Sequence, residues 1–206
     1  MTTPHYAPGV HSVIGVDAGT ANLRQADHLI HHLMDQLALP PGTFACTHLI
    51  RTDERRGVAV SFALPDVQAA EAAWERLIDV LDPDAGAALG GREHGPAQAA
   101  RTAALAADEH ARRRGGRAVV YPAVERLTGT VTVADLLART AIDRVTVVGM
   151  PPTSPAPDTA TAVLTHDHVR PEWRDGHLTL ALVPAVGGTL APFEVPNPTP
   201  CCADHA

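Results

Sequence analysis

The chain contains no lysine: its 16 basic residues are all arginine, set against 23 acidic ones. Schiff-base chemistry requires a lysine amine and is excluded. A phosphate-loop lysine is missing as well, which rules out a standard Walker-type nucleotide site. Aromatic residues make up only 3% of the chain, namely Phe44, Phe62, Phe193, Trp74, Trp173, Tyr6 and Tyr121. The core must therefore come from Ala, Val, Leu and Ile, and close backbone approach has to supply part of the stability. Three cysteines, two of them adjacent at the end, make no disulfide framework. A reducing cytoplasm is the expected location. No run approaches the ~20 apolar residues of a membrane span. The start shows no cationic segment followed by an apolar run, so no secretory signal and no membrane partner are expected.

Serine is scarce too. Ser12, Ser61 and Ser154 are the whole set, and none lies in a Gly-x-Ser-x-Gly elbow. The Rossmann glycine fingerprint is absent after both early strand candidates. A formal charge of −7 speaks against nucleic acid as a partner, because a duplex binder needs a basic face. The one basic cluster, Arg112, Arg113, Arg114 and Arg117 around Gly115-Gly116, reads as a helix C-terminus, where cations meet the negative dipole end and glycine suits the left-handed cap.

With 206 residues and 45% apolar content, the chain suits one generous globular domain or two small ones. Residues 1–9 read as a loose arm. Residues 10–16 suit a buried strand. Apolar residues at helical spacing from Leu23 to Leu37 predict a helix capped by Asn22. Residues 44–51 and 58–64 predict a hairpin across the polar turn 53–57. A second helix follows Asp66, with Trp74 on its apolar stripe. That β-α-β-β-α order is most of a ferredoxin-like unit over 10–85, lacking only its last strand. Residues 82–96 read as a Gly-rich link, and 96–114 as an alanine-dominated linking helix. A β-rich part over 117–195 is expected to contain strands at 117–121 and 144–150 around a short helix at 133–140, an order that allows a parallel pair. Strands at 159–169, 177–183 and 189–195 complete it, with Asp175-Gly176 as a turn. The expected fold class is α/β or α+β, one compact body over 10–195, with a proline-spaced tail over 196–206.

Ile14-Gly-Val-Asp-Ala-Gly-Thr-Ala-Asn22 resembles the first phosphate motif of actin-like ATPases. That resemblance implies an Asp and a Gly-Thr turn cradling phosphate between two hairpin strands. Here the second strand is missing, and no second phosphate motif or adenosine motif follows. What remains is a Gly-Thr turn whose free N–H groups offer an anion site at a helix start.

Histidine is abundant, with 12 residues. Asp27-His28-Leu-Ile-His31-His32-Leu-Met-Asp35 places His28 with His32, and His31 with Asp35, one helical turn apart. Imidazoles at that spacing reach one divalent transition metal such as zinc, with Asp35 as a third ligand or acceptor. His166-Asp167-His168 sits on an expected strand, so both rings point to one face. With Glu172 it resembles part of the first cupin motif, which implies metal binding inside a β-barrel; the preceding glycine and a second histidine motif are absent. Cys201-Cys202-Ala-Asp-His205 offers two thiolates and an imidazole to a thiophilic ion, although adjacent cysteines are not zinc spacing. Cys46 reads as a small buried hydrophobe.

Two functional readings follow. One is a small cytoplasmic binding or accessory protein, self-associating through sheet edges. The other is a metal-dependent hydrolase or lyase in which the histidines and a carboxylate converge, His48 among them, and the metal activates water.

Overall fold

The computed structural model describes residues 12–51, 56–151 and 155–196. The expected arm at 1–9, most of the 53–57 turn, and Cys201, Cys202 and His205 lie outside the described residues. The fold is mixed α/β, with mostly antiparallel strands. The chain forms two compact units, one within Met1–Pro122 plus Glu172–His177 and one within Ala123–Pro171 plus Leu178–Ala206.

The first unit begins with β1 (Val13–Asp17), α1 (Leu23–Gln36), β2 (Phe44–Arg51), β3 (Arg56–Ala63) and α2 (Val67–Val80). Next come β4 (Gly86–Leu89), β5 (Arg92–His94), α3 (Ala97–Ala111) and β6 (Arg117–Val120), with β10 (Glu172–Arg174) returning later in the chain. Asn22 and Asp66 cap α1 and α2 by accepting from Gln25 N and Ala69 N. The strands lie in the order β5-β4-β1-β3-β2-β6-β10, and each neighbouring pair is antiparallel.

The Gly-rich stretch at 82–96 is therefore not a link. It holds a hairpin whose first strand extends the sheet beside β1. The four residues Gly-Ala-Ala-Leu have little strand propensity of their own; pairing and burial override it. The helix at 96–114 is not a linker either, for α3 lies on the sheet of the first unit.

The two faces of this sheet are packed by different chemistry. Ile14, Val16, Val58, Val60 and Phe62 meet Ile30 and Leu33 of α1 and Trp74 and Leu77 of α2 in one apolar cluster. The alternate residues face α3. The strand registers set Ala88, Gly15, Ser61, Cys46 and Ala118 in one row across β4, β1, β3, β2 and β6. This row of small side chains makes a trough. The alanines of α3, Ala99, Ala100, Ala103 and Ala106, are buried in it. A Cβ on Gly15 would overlap the backbone carbonyl of Ala103, and one on Gly86 the backbone of Ala99 and Ala100. Close approach of helix and sheet backbones thus supplies what large side chains would provide elsewhere.

The second unit contains β7 (Thr130–Thr132), α4 (Val133–Arg139), β8 (Arg144–Val147), β9 (Ala162–Leu164), β12 (Leu190–Pro192) and most of β11 (His177–Pro184). Its ladder runs β11-β12-β9-β7, with β8 also on β11. The expected parallel pairing is present but with another partner: β8 runs parallel to β11, while β6 pairs β2. The expected strand at 159–169 shortens to Ala162–Leu164. Asp175 and Gly176 take φ of 50° and 81°, the two positive values that a tight hairpin turn needs.

Candidate functional site

The alternation of β2 aims Cys46 and His48 at α3, and that of β3 aims Ser61 there. Against β6 the β2 register shifts between Ala45 and Cys46, next to this site. The last turn of α3 supplies Glu109 and His110. These five residues form one continuous relay. Glu109 Oε2 lies 2.9 Å from His48 Nδ1. His48 Nε2 is 2.8 Å from Ser61 Oγ, and Ser61 Oγ is 2.7 Å from His110 Nδ1. His110 Nε2 ends the relay 4.0 Å from Cys46 Sγ.

The hydrogen positions follow from one end. An ionised carboxylate only accepts, so His48 donates from Nδ1 to Glu109. In a neutral ring Nε2 then accepts, and Ser61 donates its hydroxyl to it. Ser61 accepts in turn from His110 Nδ1–H, which leaves His110 Nε2 to accept the Cys46 S–H. Every group is satisfied by this single assignment.

The relay is closed from solvent except at Glu109. Ser61, Cys46 and His110 are 0% exposed, whereas the Glu109 side chain is half exposed. Gly116, at φ +102°, closes over His48: a Cβ there would stand 2.7 Å from His48 Cε1. His110 also meets Phe44 edge-on with ring centres 5.5 Å apart. Phe44 in turn contacts Tyr121 and Trp173, and Arg113 lies over the Trp173 ring at 4.9 Å.

Burial sets the protonation of the buried end. It pushes the Cys46 thiol far up, more than Trp173 and Arg117 pull it down. Trp173 Nε1 faces this sulfur yet has no partner at hydrogen-bonding geometry. Burial, then the neighbouring His48 and Arg113, lower His110 to about 3. The unfolded chain titrates this ring near the ordinary ~6.5. Between those values the unfolded state binds more protons, so the His110 contribution is complete above pH ~6.5 and is lost as the pH falls toward 3. The slope is at most ~1.4 kcal/mol per pH unit.

Glu109, His48 and Ser61 share the atom order of a carboxylate–imidazole–hydroxyl nucleophile. What they lack is access: Ser61 is 0% exposed beneath α3. In this closed arrangement the relay docks a helix. Ser61→Ala would leave His48 Nε2 and His110 Nδ1 facing each other without a bridge. We expect a loss of ~1–3 kcal/mol in urea unfolding, the cost of orphaned buried polar groups. A loss below ~0.5 kcal/mol would show that the bridge carries no weight.

On the other sheet face, Arg117 forms a bidentate pair with Asp27 of α1, at 2.6 and 3.1 Å, with little exposure of either side chain. The rest of the α1 cluster behaves differently. His28, His31, His32 and Asp35 are all exposed. His166 and His168 are not on a strand: β9 ends at Leu164, and His166 and Asp167 take left-handed φ of 52° and 51°. The Thr165 hydroxyl bonds Gly129 O, and Asp167 Oδ1 accepts from Gly129 N at 2.8 Å, so a side-chain-bonded turn replaces the strand. The two rings then diverge. His166 is exposed, while His168 Nε2 meets Glu194 Oε1 at 3.0 Å. Glu172 pairs with Arg174. Among the described residues, no three of His, Cys, Asp and Glu converge to hold a metal ion.

The Gly-Thr turn is self-satisfied. Gly19 N donates to Asp17 Oδ1, Ala21 N to Gln25 Oε1 and the Thr20 hydroxyl to Val58 O. Those N–H groups are not held free for an anion. At the end of α3 the left-handed residue is Arg113, at φ 52°, rather than a glycine. In the second unit, a cleft of about 160 Å³ is lined by Arg126, Thr130, Asp135 and Arg139, among others. There the Thr132 hydroxyl, at 2.8 Å, is the main cause that lowers the Asp135 carboxyl, with Arg139 assisting.

No family model matches the chain, and no curated protein or solved structure matches it.

Proposed function

We propose that this is a small binding or accessory protein, with a protein partner taken up on the second unit. The observation that carries this reading is a set of exposed apolar side chains at neighbouring strand ends. Val148 and Met150 follow β8, Val186 follows β11, and Phe193 follows β12; they are 44%, 57%, 93% and 62% exposed. Val148 N bonds Leu182 O and Phe193 N bonds Ala181 O, so both flank the same stretch of β11, roughly 10 Å apart at two strand spacings. Exposed apolar side chains grouped on one unit in this way point to an interaction site. The closed Ser61 relay favours the same reading over catalysis.

A photo-crosslinking side chain placed at Phe193 tests this in an extract of the source cells. The expected result is a discrete adduct that Val148→Asp removes; a covalent dimer would identify the partner as a second copy. Labelling no greater than from the exposed control position Glu75 would overturn it.

The strand order β4-β1-β3-β2, with α1 and α2 on one face, supports reading Val13–Asp17 through Gly86–Leu89 as a ferredoxin-like unit, with β4 as its closing strand. We read the location as cytoplasmic and nucleic acid as absent from the partners. No described helix is long and apolar enough to cross a membrane.

A second reading keeps a metal-dependent hydrolase or lyase, and rests on the exposure of His28, His31, His32 and Asp35 on α1. It expects the double variant His28→Ala, His32→Ala to lose bound zinc while stability stays within ~0.5 kcal/mol. Equal metal content in both proteins, by elemental analysis, would remove it.

A further inference from the structure

We propose that the relay is an acid-sensitive latch, which holds the C-terminal end of α3, from Glu109 to Arg114, on the sheet at neutral pH and releases it on protonation. The geometry makes the bond pattern complete only when each ring carries one proton. A second proton on His110 would aim Nε2–H at the Cys46 thiol, which stands 4.0 Å away and already faces the unpartnered Trp173 Nε1–H. Two N–H donors would then compete for one weakly accepting sulfur, and the Cys46 S–H would lose the nitrogen it donates to.

The surroundings offer a new charge no relief. His48 faces His110 from β2, Arg113 faces it from the turn after α3, and Arg117 of β6 acts on Cys46. The β3 and β10 neighbours, Ser61 and Trp173, carry no charge. Asp17 of β1 lies in the adjacent row of the same face and is bonded by Gly19 N. Glu109 is the relay's only carboxylate, and it sits at the far end on His48. Asp108 is bound to Arg112 at 2.9 Å on the exposed side.

The remainder of α3 docks by Ala99, Ala100, Ala103 and Ala106, none of which titrates. Acid therefore acts on one end of the helix only. The backbone there has one tie beyond the helix, from Gly176 N to Arg113 O at 3.1 Å, while Arg113 N and Arg114 N bond back to His110 O and Glu109 O. Release of this end would uncover Cys46, which gives the test its readout.

The full-length chain is labelled with a pyridyl disulfide, which reacts at acid pH, and Cys46 is followed by peptide-resolved mass spectrometry from pH 7 to pH 4. Rates are divided by those of the chain unfolded in guanidinium at the same pH. The latch predicts that Cys46 labelling rises at least tenfold on acidification while the α1 and α2 peptides keep their hydrogen-exchange protection. His110→Asn, which keeps a donor near Nδ1 but cannot titrate, should flatten the rise to within twofold. Should that variant fail to fold, Glu109→Gln decides: it removes the one negative charge that faces the relay, so a positive charge on the docked helix end is opposed by nothing and release moves to higher pH. Constant labelling in the wild type would overturn the proposal. So would an equal rise in His110→Asn, release only together with loss of α1 and α2 protection, or an unmoved midpoint in Glu109→Gln.

Discussion

Gly15→Ala is expected to unfold the first unit, at a cost above ~4 kcal/mol, although it adds a single methyl group. The reason is local and rigid. The new Cβ would overlap Ala103 O and crowd Ala103 C, which are backbone atoms of α3. No side chain can be trimmed or rotated to relieve the contact. Either α3 lifts from the trough or the β1 backbone leaves its ladders with β3 and β4, and both lose buried area along the whole helix. Gly19→Ala is the matched control. Its Cβ meets nothing within 4 Å, so only the φ of +74° opposes it, for roughly 1–2 kcal/mol. Denaturant titration of the two variants measures the difference. Equal midpoints would mean that α3 does not seat on Gly15.

Trp74→Ala is the second large effect, expected at ~3–5 kcal/mol. Trp74 is 5% exposed and belongs to the same buried apolar cluster as Leu77 of its own helix and Ile14 and Val16 of β1. Arg92 covers its ring at 5.1 Å to the centroid, held in turn by Glu71. With only seven aromatic residues in 206, few other side chains bury comparable area in this layer. The remaining indole, Trp173, serves as the fluorescence probe of unfolding in the variant. A loss below ~1 kcal/mol would mean that the α2 stripe is not the core-facing one.

The two predictions separate what sequence periodicity can and cannot reveal. Trp74 was legible because one helix with apolar residues at helical spacing announces its own buried face. The Asn22 cap, the Asp66 cap and the Asp175-Gly176 turn were legible for similar reasons, each being local chemistry. The trough was not. Ala88, Gly15, Ser61, Cys46 and Ala118 are scattered through a hundred residues and form a row only through strand register. For the same reason β4 read as a glycine-rich link: its small residues are chosen for the helix above it, not for strand propensity.

The candidate site shows the same limit. The histidines that drew notice stand close together in sequence, at 28, 31 and 32 and at 166 and 168. The structure leaves His28, His31, His32 and His166 exposed. The relay instead joins β2, β3 and the last turn of α3 across separations of 13 to 64 residues. A signal did exist. His48 and Ser61 are polar side chains well inside mostly apolar strands, a pattern that asks for buried partners. Nothing local pointed to Glu109 and His110, which look like the polar end of an alanine helix.

The central claim is that the relay carries one directed set of hydrogen bonds, from Cys46 through His110, Ser61 and His48 to Glu109. Long-range proton–nitrogen correlation spectra of the imidazoles report this directly, because protonated and bare ring nitrogens differ in nitrogen shift. At pH 7 the account predicts that His48 and His110 are both neutral, both protonated at Nδ1 and both bare at Nε2. A proton at Nε2 of either ring, alone or in addition to one at Nδ1, would contradict it.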